Sequence, residues 1–195
     1  MQTIDAINEM IGYIGESPID STDNDYTSHP LYESALRILT STNRAVQSRG
    51  WWFNTREVTL TPTANAIAID PDVYLSVSMK DIYADRYTVR NEALYDLTNG
   101  TATISDTLEA TVRELVAFED LPETAAQYVM AEAATRFVKT YDGDAAKLRE
   151  VKEDAAKAFV FFHADHIRNS KVNVFHLPKT QYALATSWYS RYRQR

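Results

Sequence analysis

Three short runs of histidine or carboxylate are the places where this chain could do chemistry. His163-Ala164-Asp165-His166 sets two imidazoles three residues apart with a carboxylate between them. On a helix, His163 and His166 would share a face. A protein-held metal needs a third and usually a fourth ligand. The other histidines, His29 and His176, stand at no motif spacing from this pair. A solvated helix end is the favoured reading. Asp142-Gly143-Asp144 begins like a calcium loop but lacks the further oxygens and the terminal glutamate. A tight turn followed by an Asp144 cap accounts for it. Glu119, Asp120 and Glu123 cluster where a strand gives way to a helix. Acids at a helix start are favoured by the macrodipole. Glycoside hydrolysis would instead require two carboxylates facing each other across a cleft.

Other chemistries lack their signatures. There is no nucleophile elbow, P-loop or dinucleotide fingerprint. Five glycines leave little material for a phosphate-cradling loop, and the absence of cysteine removes disulfides and thiolate metal sites. The reading therefore assigns no catalytic residue, no metal ligand and no cofactor. No apolar run approaches the roughly 20 residues that span a bilayer, and the start Met1-Gln2-Thr3-Ile4-Asp5 lacks the basic opening of a signal peptide. A soluble protein made in the cytosol, with no membrane partner, is expected.

The net charge of −7 is unevenly spread. Asp5, Glu9, Glu16, Asp20, Asp23 and Asp25 crowd residues 1–27, which hold no lysine or arginine. Residues 171–195 hold Lys171, Lys179, Arg191, Arg193 and Arg195 and no acid. Such polarity bears on partners. A pI near 5.1 is a poor profile for a free DNA binder. The basic end also carries Phe175, Leu177, Tyr182, Leu184, Trp188, Tyr189 and Tyr192, broken by Pro178. It has too little patterning to fold alone and too many rings for a plain linker. It reads as an extended assembly element, with Phe175, Tyr182, Trp188, Tyr189 and Tyr192 as anchors and Arg191 and Arg193 as charges.

The elements that must position these groups follow from periodicity. Ile4, Ile7, Ile11 and Ile14 make a helical stripe near 3–14, with Thr3 as N-cap and Gly15 and Pro18 as its stop. A second helix near 28–49 starts from Ser28 with Pro30 in its first turn, and ends at Gly50. From Thr55 the period becomes two, and a β-rich region of about five to seven strands runs to residue 119 by strand-length priors. Its expected strands include Ala66–Ile69, Thr101–Ile104 and Thr111–Phe118, with Asn99-Gly100 as a hairpin signal. Helices near 122–141 and 144–168 complete the chain. The fold class is α+β: about four helices as a bundle (1–54 and 120–170), interrupted by a small antiparallel β insertion (55–119). Trp51, Trp52 and Phe53 sit where helix meets insertion and should anchor that junction, at least one tryptophan being buried.

Three segments, in order, carry a resemblance. Asn8 to Ile19 is an isoleucine-rich helix ending in an Ile-Gly-Glu-Ser-Pro turn; Ala45-Val46-Gln47-Ser48-Arg49-Gly50-Trp51-Trp52-Phe53-Asn54 is a helix-end signature; Val116 to Glu123 leads from strand back to helix and continues through Ala133 to Phe137. Together they resemble the tail tubular protein A family of podoviruses, the tail adaptors, or gatekeepers, of short-tailed phages. The resemblance implies a dodecameric ring in the virion tail between the portal and the nozzle, tail tubular protein B. It also implies docking of tail fibres or spikes and a channel through which phage DNA passes on ejection without sequence-specific binding. A virion-borne polysaccharide or cell-wall hydrolase is the competing expectation, and a cellular helical binding module is a third.

Overall fold

The computed structural model describes residues 1–20, 26–80 and 85–170. Among the described residues, four α-helices and small antiparallel sheets make a mixed α+β fold. In chain order these are α1 (Thr3–Tyr13), α2 (Pro30–Gln47), β1 (Thr55–Leu60), β2 (Tyr74–Met79), β3 (Tyr87–Arg90), β4 (Ala93–Asp96), β5 (Leu108–Glu114), α3 (Glu123–Tyr141) and α4 (Ala145–Asn169).

Helix α3 is the hub, packing against α1, α2 and α4. Its alanines explain how. Ala125, Ala126, Ala133 and Ala134 are wholly buried beside Val129, Phe137 and Val138, and small side chains let helix axes approach. Helix α1 contributes Ala6, Ile7, Met10 and Ile11 to the same core, with Ile4 and Ile14 at its margin. After the Ser17-Pro18 break, Asn8 folds the chain back. Its Oδ1 accepts from the Ile19 backbone N–H at 2.8 Å and its Nδ2 donates to the Ile19 carbonyl at 3.0 Å.

The helix starts differ from expectation in two places. Thr3 is the first helical residue, and Gln2 precedes it without a side-chain cap. Ser28 does not cap α2; His29 does, its Nδ1 accepting from the Leu31 N–H. An imidazole nitrogen here serves in place of a hydroxyl, and Pro30 follows at the first helical position, where its missing N–H costs nothing. Asp144 caps α4 as expected, accepting from Ala146 and Lys147 N–H. Gly143, at φ +73°, makes the turn before it, and Asp142 pairs with Lys147.

The strand region forms a three-stranded sheet in the order β1-β5-β2 and a two-stranded sheet β3-β4, all antiparallel. The central strand β5 alternates, with Leu108, Ala110 and Val112 buried. Three expected strands shift. Ala66–Ile69 makes only isolated bridges, Ala66 to Thr63 and Ala68 to Ala93. Of Thr101–Ile104 only Thr101 bridges, to Asp96. The last strand is Leu108–Glu114, not Thr111–Phe118, whose end is a 3-10 turn at Phe118–Asp120. In each case β-branched residues mark apolar chain without marking register. The β3-β4 hairpin turns at Asn91-Glu92, both with positive φ (48° and 59°), the backbone of a two-residue primed turn. Asn99-Gly100 lies instead in the loop closed by the Asp96–Thr101 bridge. A second apolar cluster, Ile67, Ile69, Met79, Leu94, Ile104, Leu108 and Ala110, belongs to this region and is separate from the helical core.

Candidate functional site: the aromatic junction between helices and sheet

The run from Gln47 to Thr55 takes the chain out of α2 and into β1. Gly50 holds φ +83° there, and a Cβ at that position would run into the Arg113 guanidinium. Arg113 in turn donates from Nη1 to the Ser48 carbonyl at 2.9 Å. Only glycine combines that backbone with that neighbour at little cost.

Trp51 is 6% exposed and lies on Phe162 of α4, ring centroids 4.3 Å apart. Its indole N–H donates to the Val46 carbonyl at 2.7 Å, so the ring is buried with its polar atom satisfied. Trp52 and Phe53 are half-buried, and both also approach Phe162, at 5.7 and 6.4 Å. Tyr128 of α3 stacks on Phe162 from another side, at 5.5 Å. Phe162 is thus the common neighbour of all three rings of the run.

A buried polar network locks the same junction. The Gln47 side chain accepts from the Val116 N–H at 2.9 Å and donates to the Val116 carbonyl at 2.8 Å and to Asn43 Oδ1 at 2.7 Å. Asn43 Nδ2 donates to the Val116 carbonyl as well. Asn54 Nδ2 donates to the carbonyls of Gln47 and Glu114, and its Oδ1 accepts from the Trp51 N–H. The Glu114 N–H returns to the Asn54 carbonyl. Three amide side chains therefore tie the end of α2 to the strand leaving β5, where an unpaired polar group would be costly. Sequence reasoning missed Asn43, Gln47 and Asn54. The available signal was amides at positions 43, 47 and 54, two of them on the apolar side of α2.

The chemistry-bearing runs resolve into structure. His163 is exposed, while His166 is not at a plain solvated helix end. Its ring meets Trp51 edge-on at 5.1 Å and Trp52 at 5.9 Å. Burial, with a smaller contribution from His163, lowers its pKa below the ordinary histidine value. Glu119 accepts from the Thr3 N–H, and Glu123 pairs with the N-terminal ammonium, so those acids tie down the start of α1. Among the described residues, no group of three or more His, Asp or Glu side chains could hold a metal ion, and no helix is long and apolar enough to cross a membrane. Phe175, Tyr182, Trp188, Tyr189, Arg191, Tyr192 and Arg193 lie outside the described residues.

The arrangement at the junction fixes the end of α2 to the strand leaving β5 and to Phe162 of α4. A family model for tail tubular proteins matches residues 4–175. The chain belongs to the tail tubular protein family. It is also similar to tail tubular protein A of Klebsiella phage KP34, at 28% identity over 184 residues, covering 94% of this chain and 95% of that protein. The resemblance read from the three sequence segments is borne out, and the chain is a structural component of a phage tail.

Proposed function

We propose that this tail tubular protein is the adaptor subunit of a short phage tail. Copies form a ring beneath the portal and above the nozzle, complete the DNA channel and give fibres or spikes a place to dock. The observation that carries this reading is the family match over residues 4–175; the similarity to tail tubular protein A along nearly the whole of both chains supports it. In this reading residues 1–54 and 120–170 form a helical bundle, 55–119 a β-rich insertion and 171–195 an assembly tail. The two separate apolar clusters support the division. Trp51, Trp52 and Phe53 act as the anchor that keeps the insertion at a fixed angle to the helices. Phe175, Tyr182, Trp188, Tyr189 and Tyr192 supply docking rings, and Arg191 and Arg193 favour an acidic acceptor on the portal or a neighbouring copy. A net charge of −7 suits a conduit, because like charges discourage the passing duplex from sticking.

The role needs no catalysis and no cofactor. Mixing the protein with portal rings tests it: the two should sediment together, and deleting residues 171–195 should leave the helices folded while impairing attachment. Failure of the full chain to join portal rings would contradict the reading, as would equal attachment by the shortened one. Polysaccharide turnover lost on a single carboxylate substitution in a folded protein would contradict the non-enzymatic part.

A further inference from the structure

The outer face of α4 carries an apolar patch that no described residue covers. Val160 is 64% exposed, Phe161 66% and Ile167 60%. Val160 and Ile167 are seven positions apart, with Ala164 between them at steps of four and three; Phe161 precedes Ala164 by three. These spacings put them on one side of the helix. A single exposed apolar side chain is ordinary, but three large ones within two turns form a patch that a soluble surface rarely leaves bare. Nearer its start α4 is instead studded with ion pairs, Arg149 with Glu153 and Lys157 with Asp154. The patch lies in the half that ends at Asn169, where Arg168 pairs with Asp165 at 3.0 Å beside it.

The chain continues from that end through residues 171–195. Val172, Val174, Phe175 and Leu177 make its first stretch apolar, bounded by Lys171 and by Pro178-Lys179. Ile167 to Val160 measures about 10 Å along a helix rising about 1.5 Å per residue. Six residues in extended form reach about 20 Å, enough to turn at Ser170 and run back across the patch. The family match also does not stop with Asn169, the last residue of α4, but runs on to residue 175.

We propose that residues 172–177 fold back, antiparallel, over Val160, Phe161 and Ile167 of their own α4, so that the free assembly arm begins at Pro178. So short a tether gives an effective concentration in the millimolar range, which favours the chain's own helix over a neighbour's. The inference refines the reading of the tail as an assembly element: Phe175 becomes part of the body, and Trp188, Tyr189 and Tyr192 stay in the arm.

Limited trypsin digestion of the full chain tests it. The wild type should be cut readily after Lys179 and the arginines beyond it and spared after Lys171. In a Val160→Asp/Phe161→Asp variant, cleavage after Lys171 should rise about tenfold, because proteolysis follows the population of the open form. Because the protein has no cysteine, a Val160→Cys/Phe175→Cys variant should oxidise to a disulfide within one chain and run as a monomer. Equal wild-type cleavage after Lys171 and Lys179, or no effect of the aspartates, would overturn the proposal. Disulfide-linked dimers or ladders would overturn it in favour of exchange between copies. All three readouts use the isolated chain, so failure of portal attachment leaves them unaffected.

Discussion

The helical core and the strand region are built on different scales. The helical core buries Trp51, Phe137 and Phe162 and a set of alanines that bring helix backbones together. The strand cluster buries aliphatic side chains and Met79, with Tyr74 and Tyr87 half-exposed at its margin. Its sheets have two and three strands, sizes that need outside packing to persist. Rigidity is thus concentrated in the helices and at the aromatic junction, whereas the strands offer an open surface held at its root.

The contrast can be broken most forcefully at the junction. Trp51→Ala removes the ring packed on Phe162 and should destabilise the whole protein by about 3–5 kcal/mol. A thermal melt with an unchanged midpoint would refute its role as an anchor. Gln47→Leu roughly keeps the volume but strands the Val116 N–H and Asn43 Oδ1, and should cost about 2–3 kcal/mol. Chemical denaturation would report it as a single global transition.

In the strand cluster the outcome should differ in kind. Leu94 is 1% exposed, yet Leu94→Ala should cost only about 2 kcal/mol, the low end for such a truncation, because a thin layer can collapse around the gap. Hydrogen exchange should show faster opening in β3 and β4 while α3 stays protected. Uniform acceleration through α3 would mean that the two clusters unfold as one.

Acid separates the regions most gently. Asp96 accepts two hydrogen bonds from Arg86, at 3.0 and 2.7 Å, and others from the Thr98 and Asn99 N–H groups. These hold its pKa down to about 2. A depressed carboxylate stabilises the fold above the unfolded value and loses that stabilisation as pH falls toward about 2. His166, also depressed, stabilises above the ordinary histidine value and loses that stabilisation as pH falls through its lower folded value. Tryptophan fluorescence should therefore respond first, in the histidine range, and backbone signals from β4 later. The reverse order would contradict the assignment.

The helices were legible because their apolar stripes are local, as with Ile4, Ile7, Ile11 and Ile14 along α1 and its C-cap. The Asp144 cap and the Gly50 stop were legible for the same reason. Strand registers were not, since Ala66–Ile69 and Thr101–Ile104 look like strands but find only isolated bridges. The amide network was hidden because Gln47 and its partner Val116 are 69 positions apart. Phe162 stands more than a hundred positions from Trp51, and nothing in the sequence says that it receives that ring.

Cryo-electron microscopy of the full chain assembled with portal rings tests the proposal that this tail tubular protein is an adaptor. The expected result is a dodecameric ring seated on the portal, with α1 to α4 forming its stiff body and the residues beyond Pro178 engaging the portal or the next copy. A protein that stays monomeric beside intact portal rings, or a ring that forms without touching them, would contradict it.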